Sequence, residues 1–357
     1  QKPSQINREV SMQPVCILGA GSWGTAQAIL LASVGHKVIL WGREEDGVPQ
    51  IQASRQNQRY LPGVTIPDNV HITMDIQEAV QQASAVVLAV PAQTVRQVLE
   101  NIAPLLPGDT IIINTAKGLE IATGQRMSQV ASNVLGEEIM ARYAVISGPS
   151  HAEEVALQVP TAVTAASDSL ETAHRVQDLY MAPWFRVYTN PDVAGVELGG
   201  ALKNIIAIAA GIIHGLGYGD NTQAALITRG LTEMTRLGLA MGGDFRTFAG
   251  LSGLGDLVVT CGSRHSRNRR AGEMIGQGMT VEQALDRVGM VVEGVYTCQI
   301  AYRLAQSLQV DMPITRACYR ILYEKVDPGT EVSNLMKRGK KHEIEDIVQP
   351  GDVTYKV

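Results

Sequence analysis

Five short apolar runs punctuate the first half of the chain: VCILGAG (15–21), KVILWG (37–42), AVVLAV (85–90), TIIINT (110–115) and AVISG (144–148). Each is rich in β-branched residues and bounded by turn formers, so each predicts a buried strand. Stretches with helical spacing lie between several of them. That alternation predicts a mostly parallel, doubly wound sheet with helices on both faces. The pattern changes near Asn190-Pro191. Beyond it run long helical patterns rich in Ala, Leu and Gly, with no convincing strand. The expected organisation is a flexible N-terminal tail over 1–13, an α/β domain over 14–192, an all-α C-terminal domain over 193–340 and an unassigned polar tail over 341–357.

One predicted helix, AGVELGGALKNIIAIAAGI (194–212), is almost wholly apolar yet carries Lys203 and Asn204 in its middle. At about 100° per residue, Glu197, Gly200, Lys203, Asn204, Ala207, Gly211 and His214 share a sector of roughly 120°. Leu198, Leu202, Ile205, Ile206, Ile208, Ile212 and Ile213 cover the opposite side. The small residues of the polar sector predict a face that lets a small polar ligand approach the backbone. The plainer alternative is a surface helix whose lysine reaches water. A membrane span is rejected, because a lysine near its middle costs about 2.5–3.5 kcal/mol and Glu197 and Asn204 add to that.

Composition narrows the classes further. The 357 residues suggest two domains, and 45% hydrophobic with 18% charged residues is ordinary for a globular protein. A net charge of -5 argues against a general nucleic-acid binder. Cys16, Cys261, Cys298 and Cys318 form no C-x-x-C pair, so no zinc or redox motif is expected, and no metal site is evident. The start, QKPSQINREVSMQP, lacks the apolar stretch of a secretory signal, and a cytoplasmic setting is expected.

Gly19, Gly21 and Gly24 spell G-x-G-x-x-G directly after the first strand and at the start of a helical pattern. That context makes it a dinucleotide fingerprint: a tight turn, close approach to a pyrophosphate, and close helix–strand packing. The sheet is therefore expected to be of Rossmann type, with the pyrophosphate at a helix N-terminus. The second strand ends in LWGREE, where Arg43 suits the 2′-phosphate of NADP and the following acids suit NAD; NADP, or use of both, is expected. Lys117 in NTAKGLE and Ser150 in SGPSHAEE follow later strands, where an anionic substrate would lie. Ser150 also suits a helix N-cap. In SGLGDLVVTCGSRHSRNRR, Asp256 precedes a cluster of Arg264, Arg267, Arg269 and Arg270. Arginines with Ser266 and Asn268 can hold a phosphate through paired donors. A solvated basic loop and a nucleic-acid contact are the alternatives, the last disfavoured because no aromatic residue is interleaved. Glu293 in VVEG is either a cofactor contact or a solvated helix cap.

The segments GAGSWG, YLPG (60–63), NTAKGLE, GPSHAEE, ELGGALKNIIAIAAGI, GLSGLGDLVVTC and SRNRR occur in the order and spacing of bacterial NAD(P)-dependent glycerol-3-phosphate dehydrogenase, which the chain resembles over roughly residues 14 to 335. The resemblance implies NAD(P)H-dependent reduction of dihydroxyacetone phosphate to sn-glycerol 3-phosphate for glycerophospholipid synthesis, in a cytoplasmic homodimer. It implies cofactor contacts at Ser22, Trp23, Arg43, Tyr60, Lys117, Ala152, Arg267, Val291 and Glu293. It implies substrate contacts at Lys117, Gly148, Ser150, Asp256, Ser266, Arg267 and Asn268, and it makes Lys203 the proton carrier. Asn204, Asp256 and Thr260 are expected to orient that lysine, and Lys117 to act as a second cation beside it. His151 departs from the pattern, since many relatives carry Phe there. The alternatives are another two-domain dehydrogenase acting on a β-hydroxyacid or sugar acid, and a non-catalytic NAD(P) sensor.

Overall fold

The computed structural model describes residues 14–340; the two expected tails, 1–13 and 341–357, lie outside the described residues. Ten strands form in chain order. They are β1 (Val15–Leu18), β2 (Val38–Trp41), β3 (Gln56–Asn57), β4 (Leu61–Thr65), β5 (Val70–Thr73), β6 (Ala85–Leu88), β7 (Ile111–Asn114), β8 (Tyr143–Ser147), β9 (Thr161–Ala166) and β10 (Phe185–Asn190). Eight of them make one sheet in the order β10-β9-β8-β7-β6-β1-β2-β5, while β3 and β4 form a separate ribbon. Every pairing in the large sheet is parallel except β8 with β9. The sheet is doubly wound, as the alternation predicts.

Both faces of β1 are covered, which is why its sequence is apolar at every position. Val15 and Ile17 pack with Ile29 and Leu30 of the Ser22–Ser33 helix and with Val176 of the Leu170–Tyr180 helix. Cys16 and Leu18 pack on the other side with Val98 and Leu99 of the Val95–Ile102 helix and Val130 of the Met127–Leu135 helix. All four cysteines are buried and free. The chain order reverses between β6 and β1, so the crevice outside their carboxyl ends is where a doubly wound sheet binds its ligand.

Besides the β3–β4 ribbon, three strands of the large sheet fall outside the apolar runs. The Val70–Thr73 strand exposes His71, and the Thr161–Ala166 strand is built of Thr, Ala and one Val. The Phe185–Asn190 strand at the sheet edge alternates buried Phe185 and Val187 with exposed Arg186 and Tyr188.

After Asn190 the described residues are helical. The Val193–Gly215 helix runs through the middle of a second core, capped by Asp192, whose carboxylate accepts from Gly195 N at 2.8 Å and from Asp244 N at 2.8 Å. Its most apolar stretch is wholly buried within the protein. The predicted polar face divides in two. Glu197 turns back to the sheet, accepting from Ser128 N (2.8 Å), Ser128 Oγ (2.6 Å), Tyr143 OH (2.7 Å) and Arg126 Nη1 (3.1 Å). The expectation that small residues open this face to a ligand is corrected at its C-terminal half. A methyl group on Gly211 would overlap the Arg269 carbonyl oxygen, and one on Gly272 would overlap that of Ile208. These glycines seat the Arg267–Gly276 helix against the Val193–Gly215 helix. His214, at the same end, lies 3.5 Å from Glu273.

The seam makes a direct prediction. Gly211→Ala should push the two helices apart and cost about 1–3 kcal/mol. Thermal and denaturant unfolding would show it as a lowered midpoint; an unchanged midpoint would mean that the seam adjusts freely.

Candidate active site

A cleft of about 1110 Å³ opens over the carboxyl ends of β1, β6 and β7 and continues onto the helical domain. At its β1 side, Gly19 adopts φ +121°, which disfavours any side chain, and a methyl there would come within 2.6 Å of the Ala89 carbonyl oxygen. Gly24 lies behind the wall, where a methyl would overlap the carbonyl oxygen of Gly19. Gly21 faces open space, and as N-cap of the Ser22–Ser33 helix it leaves the first-turn amides without a side-chain cap. Asn57 on β3 holds the loop in shape, donating from Nδ2 to Ala20 O at 2.9 Å and to Thr25 Oγ1 at 2.8 Å. Nothing in the polar stretch around Asn57 marks it for this task.

Arg43 lines the cleft at the end of β2, where Nε and Nη2 bond Asp46 at 3.1 and 3.2 Å. Tyr60 lines the same end, and the Arg59 guanidinium stands 4.9 Å from its ring centre. Arg59 is a second cleft-lining cation here that the motif reading passed over; its adjacency to Tyr60 was the available signal.

The floor of the cleft is an ionic cluster. Lys203 Nζ donates to Asp256 Oδ1 and to Thr260 Oγ1, each at 2.6 Å. Lys117 Nζ donates to Asp256 Oδ2 at 2.6 Å and to Gly148 O at 3.0 Å. Thr260 donates its own proton to Asp256 O at 2.6 Å. Lys203 is 6% exposed and Asp256 1%. Burial pulls the Lys203 ammonium down to about 8; Asp256 opposes that fall and Lys117 adds to it. Burial alone would raise the Asp256 carboxyl, but the two ammonium groups outweigh it and hold it below its usual range.

The remaining predicted residues gather around this floor with some changes of role. Ser150 is no N-cap: His151 occupies that position, and Ser150 Oγ donates to Gly148 O at 3.1 Å. Gly148 and Asp256 lie behind the cleft wall, holding Lys117 and both lysines respectively. Ser266 caps the Arg267–Gly276 helix by accepting from Arg269 N at 3.2 Å, which leaves its hydroxyl proton free to donate. Arg267 lines the cleft, its guanidinium pulled down by burial and supported by Glu293. Asn268 is locked between Asn204 Oδ1 and Gly294 N, both at 2.9 Å. Glu293 Oε1 accepts from Ala92 N at 3.1 Å, and burial raises its carboxyl. Ala152 and Val291 complete the wall.

These residues fit a dinucleotide. Gly21 leaves room for backbone approach, and Trp23 Nε1 and Glu293 Oε2 are buried polar atoms in the wall without partners of their own. A glycine loop at the switch point of a doubly wound sheet, facing a buried lysine on a helical second domain, defines a two-domain NAD(P)-dependent oxidoreductase. The family itself is shown by comparison. Residues 14–173 match the N-terminal domain and residues 192–333 the C-terminal domain of NAD-dependent glycerol-3-phosphate dehydrogenase, and the chain belongs to that family. It is 61% identical over 338 residues to glycerol-3-phosphate dehydrogenase [NAD(P)+] of Syntrophomonas wolfei, covering 95% of this chain and 98% of that protein. It is 51% identical over 337 residues to the Bacillus velezensis enzyme of the same name, covering 94% of this chain and 98% of that one. The crystal structure of glycerol-3-phosphate dehydrogenase from Coxiella burnetii superposes with a TM-score of 0.87 at 42% identity, over 91% of this chain and 99% of that one.

Because Asp256 opposes the fall of the Lys203 pKa, Asp256→Asn should lower it further. Reactivity of the Lys203 amine toward an acylating reagent, followed against pH, should reach its midpoint near 8 in the wild type and at lower pH in the variant. A midpoint that does not move would remove Asp256 from control of the lysine.

Proposed function

We propose that the protein catalyses the reversible NAD(P)H-dependent reduction of dihydroxyacetone phosphate to sn-glycerol 3-phosphate, the backbone of glycerophospholipids. The observation that carries this is the pair of ammonium groups on one buried carboxylate, Lys203 and Lys117 on Asp256, at the floor of the cleft. When bound, the nicotinamide supplies or accepts the hydride. Gly19, Gly21, Ser22 and Trp23 would hold the pyrophosphate side, Arg43 and Tyr60 the adenosine side, and Ala152, Val291 and Glu293 the rest of the cofactor. Arg43 together with Arg59 supports NADPH as the favoured reductant.

Lys203 Nζ delivers a proton to the substrate's carbonyl oxygen as charge develops there, and takes it back in the oxidation. Thr260 and Asp256 fix where that Nζ lies. Lys117 holds the same end of the substrate with Ser150, while Gly148, from behind the wall, fixes both through its carbonyl. Arg267 provides the charge that holds the phosphate, and Ser266 and Asn268 donate hydrogen bonds to it. Asn204, expected to orient Lys203, instead positions Asn268 by accepting from its Nδ2. The match of both halves to one family supports this reading over a β-hydroxyacid dehydrogenase or an NAD(P) sensor. We place the functional boundary between the two domains at residues 192 and 193. The family resemblance also supports a cytoplasmic homodimer. The net charge of -5 supports a protein that binds no nucleic acid, and Lys203 within the long apolar helix supports one that does not insert into membranes.

Purified protein should consume NADPH or NADH when given dihydroxyacetone phosphate; folded protein that binds NADPH and consumes none would sink the proposal. Reduction needs the protonated lysine, so its rate should fall as pH rises through about 8. Lys203→Met should bind cofactor normally and lose about 10²–10⁴-fold in turnover. Near-normal turnover would leave Lys203 without a role in the chemistry. Arg267→Ala removes a charged hydrogen bond, so its KM for dihydroxyacetone phosphate should rise roughly 10–100-fold. An unchanged KM would place the phosphate elsewhere.

A further inference from the structure

One polar atom in the cleft wall has no part in the chemistry above. His151 Nε2 is shut off from solvent and has no hydrogen-bond partner. The ring shares the wall with Ser150, Lys117 and Lys203. Its backbone is fixed in extended conformation immediately before the Ala152–Ala156 helix, at φ -68° and ψ 132°. The His265 ring lies 5.9 Å away and tilted by 52°, on the loop that leads directly into Ser266. His151 therefore shares the wall with both ammonium groups and stands beside the loop that leads into Ser266.

Charges surround it on every side. Lys203 comes from the Val193–Gly215 helix, Lys117 from the loop after β7, Asp256 from the Asp256–Gly262 helix and Glu153 from its own helix. Burial and the two ammonium groups hold the imidazole below its usual range, so the ring is neutral at pH 7. A neutral imidazole can offer either an N–H or a lone pair at Nε2 to a ligand oxygen. Leaving such a buried atom unpaired is costly, and a ligand that pairs it gains affinity.

We propose that His151 is a substrate-contacting, specificity-determining residue whose Nε2 hydrogen-bonds an oxygen of the bound phosphorylated substrate beside Lys203 and Lys117. This rests on the cleft being a triose-phosphate site. The contact acts on substrate affinity, since the reaction above routes no proton through His151.

The test is steady-state kinetics of wild type, His151→Phe and His151→Gln, varying dihydroxyacetone phosphate and NADPH in turn. Phe keeps the ring volume and removes the hydrogen bond; Gln keeps a polar group within reach. The Phe variant should raise the KM for dihydroxyacetone phosphate about 5–30-fold, leave the KM for NADPH within about twofold, and be largely rescued by Gln. An unchanged KM in folded Phe variant overturns the contact. So does a parallel rise for both ligands that Gln fails to rescue, which marks a structural role. His151→Ala takes the place of the Phe variant if that protein does not fold, with the same expected ratio. If wild type turns over no dihydroxyacetone phosphate, the proposed function fails by itself. Calorimetric titration of sn-glycerol 3-phosphate into the NADP-loaded proteins then still decides the contact: weaker binding in the variant supports it, and equal binding overturns it.

Discussion

Everything at the floor of the cleft depends on one carboxylate that cannot reach water. Asp256 is surrounded by protein, and a buried carboxylate is tolerated only when paired. It is paired twice, once by each oxygen, and the two partners come from different parts of the chain. Lys117 arrives from the loop after β7 and Lys203 from the middle of the long helix of the second domain. The ion cluster is therefore a fastening between domains as well as a chemical device. Removing Asp256 would leave two ammonium groups without a counter-charge, and removing either lysine would leave one carboxylate oxygen without its partner, so fixed geometry and proton-transfer competence come from the same three side chains.

The long helix carries a second fastening two turns before the lysine. Glu197 takes hydrogen bonds from Ser128, Tyr143 and Arg126 on the sheet side. With Asp256 and Glu197 both satisfied across the boundary, the helix has little freedom to slide or rotate. Its C-terminal half is fixed by another means, the close glycine seam against the Arg267–Gly276 helix. That seam sets how far Ser266, Arg267 and Asn268 stand from Lys203. The distance between the proton carrier and the phosphate-holding residues is thus set by residues with almost no side chain, far from either ligand.

This division explains what was legible in the amino-acid order. Gly19, Gly21 and Gly24 were readable because their spacing, strand and helix all point to one backbone geometry. Lys203 was readable as an anomaly, a cation inside an apolar helix. Gly211 was misread because helical periodicity shows which residues share a face and says nothing about what covers it. The edge strand at Phe185–Asn190 alternates with period two, but a search for continuous apolar runs selects strands buried on both faces and passes over one that is half exposed. The tasks of Asn57 Nδ2 and of Glu197 carry no local signal, since the groups they hold lie 32–37 and 54–71 residues away in sequence; the helical pattern put Glu197 on a polar face and said nothing of its partners.

The charge balance of the site explains why the lysine pair needs its acid. The chain as a whole carries a net charge of -5, yet the residues around the floor bring Lys117, Lys203 and Arg267 together against Asp256 and Glu293. A phosphorylated ketone brings negative charge that such a surplus attracts, and focusing in a cleft strengthens the effect. Without Asp256 the two lysines would repel, and the buried one would give up its proton before any substrate arrived. With Asp256 alone and no second lysine, Lys203 would be held more firmly as a cation and would take a proton back less readily. The pKa near 8 is the result of burial and Lys117 pulling one way and Asp256 the other. A lysine balanced there can serve the reaction in both directions at neutral pH, which is what a reversible reduction requires of its proton carrier.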